Sequence, residues 1–416
     1  MPESTPRRSL WTRLTGQSPF VVTLFALVLG LVVGAIVIIT TTAPVLNAWR
    51  GFFTGWGAPG HALKVTADNV GAAYRIMFTG SVFSPATLWH AITTGQGWSN
   101  ALTPISETLT YATPLTIASI GVGIAFQTGI FNIGANGQAM MGGIAGAYVG
   151  TLIHLPTVLH LPFTLLAGIA GGVLAGSVPG LLKAYTGAHE VIVTLMFNYV
   201  VSAILLYTLL STALQAPGQQ NDIARTLDPS ALLAPLFGTA SGLRVNYGLV
   251  IAALVVLFAW WFLERSSRGF EFLVTGANPQ AARASGINAK AVIILVFAIS
   301  GGLAGLAGVT ELAGFYKTLD GGFLVGNAGI GFTAITVSLL GRNKPIGIVW
   351  ASLLFAALGV GGRAMQAATG IPLDLATVIQ SAVVLFVATP VLVKEIFRLR
   401  TSPTAALQLA TKGWGS

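Results

Sequence analysis

Long apolar segments alternate with short polar stretches along most of the chain. A helix needs about 20 apolar residues to cross the hydrocarbon of a bilayer, and most of these segments reach that length. The predicted membrane segments are Phe20–Thr42, Glu107–Phe126, Ile130–Ile153, Leu161–Leu182, Val191–Leu214, Tyr247–Leu263, Ala291–Phe315, Ala328–Leu340, Ile346–Met365 and Leu373–Val393. Ala328–Leu340 is too short to cross alone, so the region from Gly301 to Leu340 is predicted to contain a broken or re-entrant segment. The predicted fold is all-α, a polytopic membrane helix bundle of about ten transmembrane helices with short broken or re-entrant segments.

The composition supports this fold class. Only 8% of the residues are charged and 54% are hydrophobic, with a mean hydropathy of +0.79. An average soluble domain has about 25% charged residues, so a soluble protein is excluded. The net charge of +9 does not indicate nucleic-acid binding, because the basic residues lie at the ends of apolar segments rather than in one block.

The chain shows no residue pattern that is typical of an enzyme. The absence of cysteine excludes disulfides, thiolate catalysis and cysteine-based metal sites. The five histidines do not have the spacing of a metal site, and no G-x-S-x-G or phosphate-binding G-x-x-x-x-G-K-[ST] motif occurs. We therefore predict no catalytic residue, metal or cofactor in this chain. Any ATP-driven process would need an ATPase on another polypeptide.

The basic residues predict the orientation in the membrane. With a cytoplasmic N-terminus and ten crossings, 14 of the 21 Lys and Arg residues lie inside and 7 lie outside, as the positive-inside rule favours. The expected protein is multi-pass, with both termini cytoplasmic. The predicted regions are a cytoplasmic tail (1–18), the first transmembrane helix (19–43), an extracytoplasmic insert with a partly helical stretch at Asn69–Phe78 (44–104), the transmembrane core (105–395) and a second cytoplasmic tail (396–416).

Glycines recur at a spacing of four in two neighbouring apolar segments. One set is Gly168, Gly172, Gly176 and Gly180, and the other is Gly142, Gly146 and Gly150. On a helix this spacing makes a smooth stripe that another helix can approach closely. We predict tight packing within the chain in preference to a subunit interface.

The longest charged interruption in the apolar core is the predicted cytoplasmic loop 264–290. Within it, Asn278 is a good N-cap residue, and Pro279 suits the first helical position because its missing N–H costs nothing there. The residues up to Ser285 favour a helix, and Gly286 can end it. The loop is therefore predicted to carry a short surface helix on which a partner docks.

Amide side chains interrupt the apolar pattern at 129–143, where Asn132, Asn136 and Gln138 lie among glycines, with Phe126 and Phe131 nearby. Asn198 lies within a later apolar segment. Unpaired amides are costly in lipid, so this stretch is predicted to be a broken helix that lines a cavity, or a kink whose amides satisfy one another. Amides both donate and accept hydrogen bonds, which suits a neutral polar solute such as a sugar or a nucleobase.

Two carboxylates lie close to the membrane interior. Glu107 is expected at the start of its helix, where the helix dipole favours a negative charge. Glu311 lies further inside and is a candidate for proton coupling, which makes a proton-driven secondary transporter of sugars or nucleosides the alternative function.

Five stretches in order resemble the permease subunits of bacterial ABC importers. They are GIFNIGANGQAMMGG (129–143), HEVIVTLMFNYV (189–200), TGANPQAARASGIN (275–288), LLGRNKPIG (339–347) and GGRAMQAATGIPLDLATVIQSAVVLFVA (361–388). The closest resemblance is to the branch of the ribose and branched-chain amino-acid permeases that serves nucleosides. The resemblance covers roughly residues 105–395.

The resemblance implies an ATP-driven importer in which this chain forms the path of a small polar solute, most of all nucleosides. The implied partners are a cytosolic ATPase that binds ATP and Mg, a second and non-identical permease, and an extracytoplasmic solute-binding lipoprotein. The resemblance places Asn132, Asn136 and Gln138 near the path, and the residue pattern adds Phe126, Phe131 and Asn198 as candidates for its lining. Those implied to couple to the ATPase are Asn278, Pro279, Ala281, Ala282, Arg283 and Gly286. Many relatives have an acidic residue in place of Asn136.

Overall fold

The computed structural model describes residues 19–52, 58–218, 221–321, 323 and 329–397, and helices make up most of this part of the chain. The first eight helices are α1 (Pro19–Thr41), α2 (Ala43–Arg50), α3 (Ala58–Ser81), α4 (Pro85–Thr94), α5 (Trp98–Gln127), α6 (Ala135–Leu152), α7 (Thr157–Thr186) and α8 (Glu190–Leu209). The others are α9 (Gly248–Arg265), α10 (Ser267–Ala277), α11 (Pro279–Ala284), α12 (Ala289–Glu311), α13 (Ile330–Leu340), α14 (Pro345–Thr369), α15 (Asp374–Ala388) and α16 (Pro390–Ile396). The prediction of an all-α membrane bundle is confirmed.

Seven helices within the described residues are long and apolar enough to cross a membrane. They correspond to seven of the ten predicted segments, and they lie in α1, α5, α7, α8, α9, α12 with its continuation to Tyr316, and α14. The other three predicted segments contain helices outside this set, namely α6 with 18 residues, α13 with 11 and α15 with 15. The number of about ten crossings therefore stays a prediction.

Residues 78–360 contain one of two compact units. Helix α12 is central in this unit, where it packs against α5, α6 and α7. Its faces carry small residues, since Gly301, Gly302, Gly305 and Gly308 are all buried. Helices of this kind can approach until their backbones touch.

The predicted glycine stripes pack within the chain. A methyl group added at Gly172 would lie 2.7 Å from the Cα atom of Gly305, and one added at Gly142 would overlap the backbone of the same residue. Gly305 thus lies against both α6 and α7. Further along the stripe, Gly180 of α7 lies against the side chain of Phe297. The prediction of intramolecular packing is confirmed.

The predicted break between Gly301 and Leu340 is confirmed. Helix α12 ends at Glu311 and continues as a π-helical segment, Leu312–Tyr316, after which Lys317 adopts a positive φ of 62°. A short strand, β2 (Thr318–Asp320), then pairs antiparallel with β1 (Ile223–Thr226). Ala328, where the predicted short segment begins, lies outside the described residues.

The second unit is formed by residues up to 77 together with those from 361 onward. Here α1 packs against α15, and a methyl group at Gly34 would lie 2.6 Å from the Ile379 side chain. The Tyr74 hydroxyl of α3 donates a hydrogen bond to the Leu31 carbonyl of α1. Residues 1–18 and 398–416, which contain nearly all of the two predicted tails, lie outside the described residues.

The region 44–104 is more helical than its sequence indicated. The expected helical stretch, Asn69–Phe78, is only part of α3, which has 24 residues. The helices α2 and α4 and the start of α5 occupy most of the rest, and residues 53–57 lie outside the described part. Its Trp and Gly residues masked this helical character, because neither favours a helix as strongly as alanine or leucine does.

Replacing Gly305 with alanine is expected to destabilise the protein by about 1–3 kcal/mol, because the added methyl group overlaps the backbone of α7. Gly359→Ala is the matched control, since this helical glycine of α14 has no atom within 4 Å of the added methyl position. Thermal unfolding in detergent should show a Tm several degrees lower for Gly305→Ala only. Equal Tm values would contradict the close approach.

Candidate functional site

The chain breaks between α5 and α6 and turns back into the bundle. Residues 128–134 are not helical, and Gly129 has a φ of 72°. This turn lies against α10, because a methyl group at Gly276 would lie 2.9 Å from the Cα atom of Thr128. The Gln127 side chain donates to the Asn343 carbonyl at 2.5 Å, which ties the turn to the loop after α13. The helix break predicted here is confirmed.

The amides after the break bind one another. The Asn132 Nδ2 donates to the Oε1 of Gln138 at 2.8 Å and to the hydroxyl of Ser300 at 2.8 Å. Its Oδ1 accepts from the Gln138 side chain and from the Gly134 N–H, each at 3.1 Å. Asn132 is fully buried and Gln138 is 1% exposed. Of the two alternatives from the sequence, this arrangement agrees with a kink whose amides are satisfied.

Asn198 of α8 holds the start of α6. Its Oδ1 accepts from the Gly137 N–H at 2.9 Å, and its Nδ2 donates to the Ile133 carbonyl at 3.1 Å. The first N–H groups of a helix have no partner within the helix, so this amide satisfies one of them. The contact is possible because Gly137 lets α8 approach, as a methyl group there would lie 2.8 Å from the Asn198 Oδ1.

Asn136 is the exception in this cluster. It is 6% exposed, and its Oδ1 has no hydrogen-bond partner among the described residues. Its Cβ lies close to the first turn of α13, because a methyl group at Gly331 would lie 2.7 Å from it. A buried acceptor without a donor is costly, so Asn136 differs from the other amides of the cluster in having an oxygen that is unsatisfied within the described residues.

The cluster meets the start of α6, but its partners on α8 and α12 lie well inside those helices. Ser300 is about 16 Å along α12 from its start at Ala289, at 1.5 Å per residue. Asn198 is about 12 Å along α8 from Glu190. The sequence did not indicate Ser300 as a partner. The sequence feature that could have indicated it is a single hydroxyl residue directly before the glycines of an apolar segment.

The two predicted path aromatics form a pair next to the break. The Phe126 and Phe131 rings pack edge to face with centroids 4.9 Å apart. Phe131 is 50% exposed, whereas the neighbouring Asn132 is buried. Phe131 therefore lies on the surface of the chain and the amides lie in its interior.

The loop 264–290 contains the predicted short helix, α11. The Asn278 Oδ1 accepts from the N–H groups of Gln280 and Ala281 at 3.0 and 3.1 Å, and Pro279 is the first helical residue. Gly286 adopts a φ of 80°, as expected for the residue that ends the helix. The predicted local structure is confirmed. Ala282 is fully buried and packs within the chain, whereas Arg283 is exposed and accessible to a partner.

The carboxylates differ from the expectation in one respect. Glu107 does not start its helix, because α5 begins at Trp98 and continues through Pro104. Its carboxylate instead pairs with Arg244 at 3.2 Å. The prediction of a dipole-stabilised terminus was wrong because the polar residues before Glu107 concealed the earlier helix start.

No cluster of three or more His, Asp or Glu side chains suited to a metal occurs within the described residues.

Comparison with known proteins identifies relatives of this fold. Residues 105–388 match the family described as branched-chain amino acid transport system / permease component. The chain is 34% identical over 288 residues to the guanosine ABC transporter permease protein NupP of Bacillus subtilis. The aligned region covers 68% of this chain and 81% of NupP. It is 34% identical over 292 residues to the glucose ABC transporter permease protein TsgB13 of Haloferax volcanii, covering 68% and 76%. It is 32% identical over 305 residues to the nucleoside ABC transporter permease protein NupB of Lactococcus lactis, covering 70% and 80%.

Replacing Asn198 with alanine is expected to cost about 1–3 kcal/mol, because the Gly137 N–H and the Ile133 carbonyl lose their partner in a buried place. Hydrogen exchange at the Gly137 amide should become faster, and the Tm in detergent should fall. Ser202→Ala is the control one turn further along α8, since the Ser202 hydroxyl donates to the Asn198 carbonyl of its own helix at 2.9 Å and contacts α6 only at the Met140 sulfur, at 3.6 Å. Unchanged exchange at Gly137 would show that Asn198 does not hold α6.

Proposed function

The chain belongs to the family of permease components of branched-chain amino acid transport systems, and we propose that it forms the path of nucleosides through an ATP-driven importer. The observation that carries this proposal is the match over residues 105–388 together with the guanosine and nucleoside permeases among the relatives. The protein is a multi-pass membrane permease and not an enzyme. Its placement in a bacterial cell membrane with both termini in the cytoplasm is part of the proposal.

The buried amide cluster supports a neutral, polar solute. Asn136, with its unpartnered Oδ1, offers an acceptor to the N–H or O–H groups of a nucleoside. Asn132, Gln138 and Asn198 already use their amides on one another, on Ser300 and on the backbone. They therefore form the rigid wall that positions Asn136, with Phe126 and Phe131 at its edge. A sugar would need similar groups, and one relative is a glucose permease, so the solute requires a direct test.

The exposed side of α11 supports coupling to a partner ATPase. Asn278, Pro279, Ala281, Arg283 and Gly286 are exposed, whereas Ala282 packs inward and holds the loop together. Two caps fix this loop, since Asn288 accepts from the N–H groups of Lys290 and Ala291 at the start of α12. Because these caps hold α11 rigidly before α12, a displacement of α11 by the ATPase would move the start of α12. ATP and Mg would bind to that ATPase and not to this chain.

The proposed assembly also contains a second permease and an extracytoplasmic solute-binding lipoprotein. The second permease is proposed to be a different chain. A proton-driven secondary transporter is the alternative, and the observation in its favour is the buried, unpartnered carboxylate oxygen of Glu311. It requires that the purified chain alone in proteoliposomes takes up solute under a proton gradient, and no uptake there would exclude it.

Replacing Arg283 with glutamate is expected to lower ATP-dependent uptake at least about tenfold and to abolish co-purification of the ATPase, because it reverses an exposed charge at the proposed interface. Lys64→Glu is the matched control, an exposed reversal on α3 in the region 44–104. Both variants should accumulate normally. Uptake and co-purification that both survive Arg283→Glu would refute the coupling role of α11.

The solute is tested by competition. Cells with the complete importer take up labelled guanosine, and we expect unlabelled nucleosides to compete, whereas ribose, glucose and free guanine do not compete at the same concentration. The physical reason is that a site with groups for both base and sugar loses part of its hydrogen bonds with either fragment alone. Competition by ribose or glucose as strong as that by nucleosides would assign a sugar instead.

A further inference from the structure

A groove runs along α5, α9 and α14, three helices that are all long and apolar enough to cross a membrane. Its volume is about 380 Å³, within the range of about 300–1,000 Å³ that is usual for sites of small organic ligands. On α9 the lining residues extend from Leu249 to Leu257, about 12 Å at 1.5 Å per residue. The mean cross-section is then about 30 Å², whereas a helix with its side chains is about 10 Å wide and needs more than twice that area. The groove therefore suits a linear chain rather than a whole helix.

The groove offers hydrocarbon to its occupant and almost no hydrogen-bonding group. Nine of the eleven lining residues are Leu, Ala or Val, and the other two are Thr113 and Thr116. Both Thr hydroxyls donate to carbonyls of their own helix, those of Leu109 and Ala112, at 2.9 and 2.7 Å. A nucleoside or a sugar would lose its hydrogen bonds with water here and gain none. The occupant is therefore apolar along the groove.

The groove is open to the surface at α9. Leu257, which lines it, is 60% exposed, and the neighbouring Leu254 and Phe258 are exposed as well. Around a membrane-crossing helix the surroundings are hydrocarbon. Unfilled space would leave the lining atoms without dispersion contacts, and a neighbouring helix fills such a groove only at the points where its side chains enter. A lipid acyl chain fills it continuously and is present in every membrane.

A cation lies at one end of the groove. The backbone N–H groups of Arg244 and Val245 both donate to the Ser106 hydroxyl at 2.9 Å. This contact holds Arg244 beside α5 at a point three residues before Leu109, the first lining residue of that helix. Arg244 also lies four residues before Gly248, where α9 begins. It is therefore next to the end of the groove that Leu109 and the start of α9 form.

The Arg244 guanidinium is held in place and keeps donors for a second anion. It pairs through Nη1 with both carboxylate oxygens of Glu107 at 3.2 and 3.4 Å, and it lies 4.8 Å from the centroid of the Phe315 ring. Its side chain is 51% exposed, and its other guanidinium N–H groups have no hydrogen-bond partner among the described residues. Arg binds phosphate through adjacent N–H groups. An apolar lining and a phosphate-binding group are the two features that a phospholipid requires.

We propose that a membrane phospholipid binds in this groove, with one acyl chain along α5, α9 and α14 and its phosphate on Arg244. The Glu107 carboxylate opposes the phosphate by its charge, so the two members of this ion pair have opposite effects on the lipid. The site is distinct from the amide cluster, and it does not depend on which solute the protein transports.

The position of the chain is tested with a phosphatidylglycerol that carries a photoactivatable diazirine in the middle of one acyl chain. The full chain, with the subunits that co-purify with it, is reconstituted in phosphatidylcholine vesicles that contain a small fraction of this lipid, and labelled peptides are identified by mass spectrometry. We expect label on the lining residues of α9 and α14. Ala253→Trp places a large ring in the groove and should reduce this label at least about fivefold, because the ring takes the place of the chain.

Leu254→Trp is the matched control. It adds the same ring at the adjacent exposed residue, which does not line the groove, so the label should stay at the wild-type level. Ala253 is exposed too, so both variants should fold.

The phosphate contact is tested with two probes that share the labelled chain, phosphatidylglycerol and diacylglycerol, of which only the first has a phosphate. In the wild type we expect at least about fivefold more groove label from phosphatidylglycerol, because a charge-assisted hydrogen bond favours it. Arg244→Gln should reduce this ratio to about one, because the amide has no charge. Glu107→Gln breaks the same ion pair but keeps the cation, so its ratio should equal or exceed that of the wild type.

Three results would overturn the inference. They are equal groove label in Ala253→Trp and Leu254→Trp, a preference for phosphatidylglycerol that survives Arg244→Gln, and a loss of that preference in Glu107→Gln as large as in Arg244→Gln. Groove label that appears in the isolated chain but not in the assembled complex would also overturn it and would assign the groove to a partner subunit. Solute uptake is not measured in these experiments, so a failure of the proposed function would not alter their outcome.

Discussion

The close approach of three helix backbones at Gly305 is the constraint on which the rest of the membrane bundle depends. There is no hydrophobic driving force between helices in lipid, so they associate through van der Waals packing and interhelical hydrogen bonds. At this crossing α12 lies against α6 and α7 with no side chain between them. Because the backbones are so close, a side chain on one helix reaches a partner on another. Ser300 of α12 binds Asn132 in this way.

The buried amides follow from that packing. An amide in the interior of a membrane protein must have partners, and three side chains that meet at the break between α5 and α6, those of Asn132, Gln138 and Ser300, supply them to one another. This leaves one amide oxygen, that of Asn136, without a donor. The same logic applies at the other end of α12, where one carboxylate oxygen of Glu311 has none. Polar atoms that the fold leaves unsatisfied are the places where a solute gains most by binding.

The loop 264–290 differs from both places because its polar groups are used locally. Asn278 and Asn288 each accept from backbone N–H groups within three residues, so the loop forms its own structure with little help from the bundle. It leads directly into α12, which contains Ser300, Gly305 and Glu311 in turn. Helix α12 therefore connects the loop proposed to contact the ATPase with the amide cluster, through Ser300, and with Glu311 at its end.

Local features were readable from residue types and spacing, because each depends on neighbours in the chain. The membrane class follows from apolar length, the capped helix from Asn278 and Pro279, and the close helix approach from glycines four residues apart. The candidate path residues were found as an amide-rich stretch, but not their pairing. Only the tertiary structure decided that Asn132 binds Ser300, that Ala282 faces inward while Arg283 faces outward, and that Glu107 pairs with Arg244 inside a longer helix. These outcomes depend on residues more than a hundred positions apart or on the rotation of a helix, and neither is encoded in local periodicity.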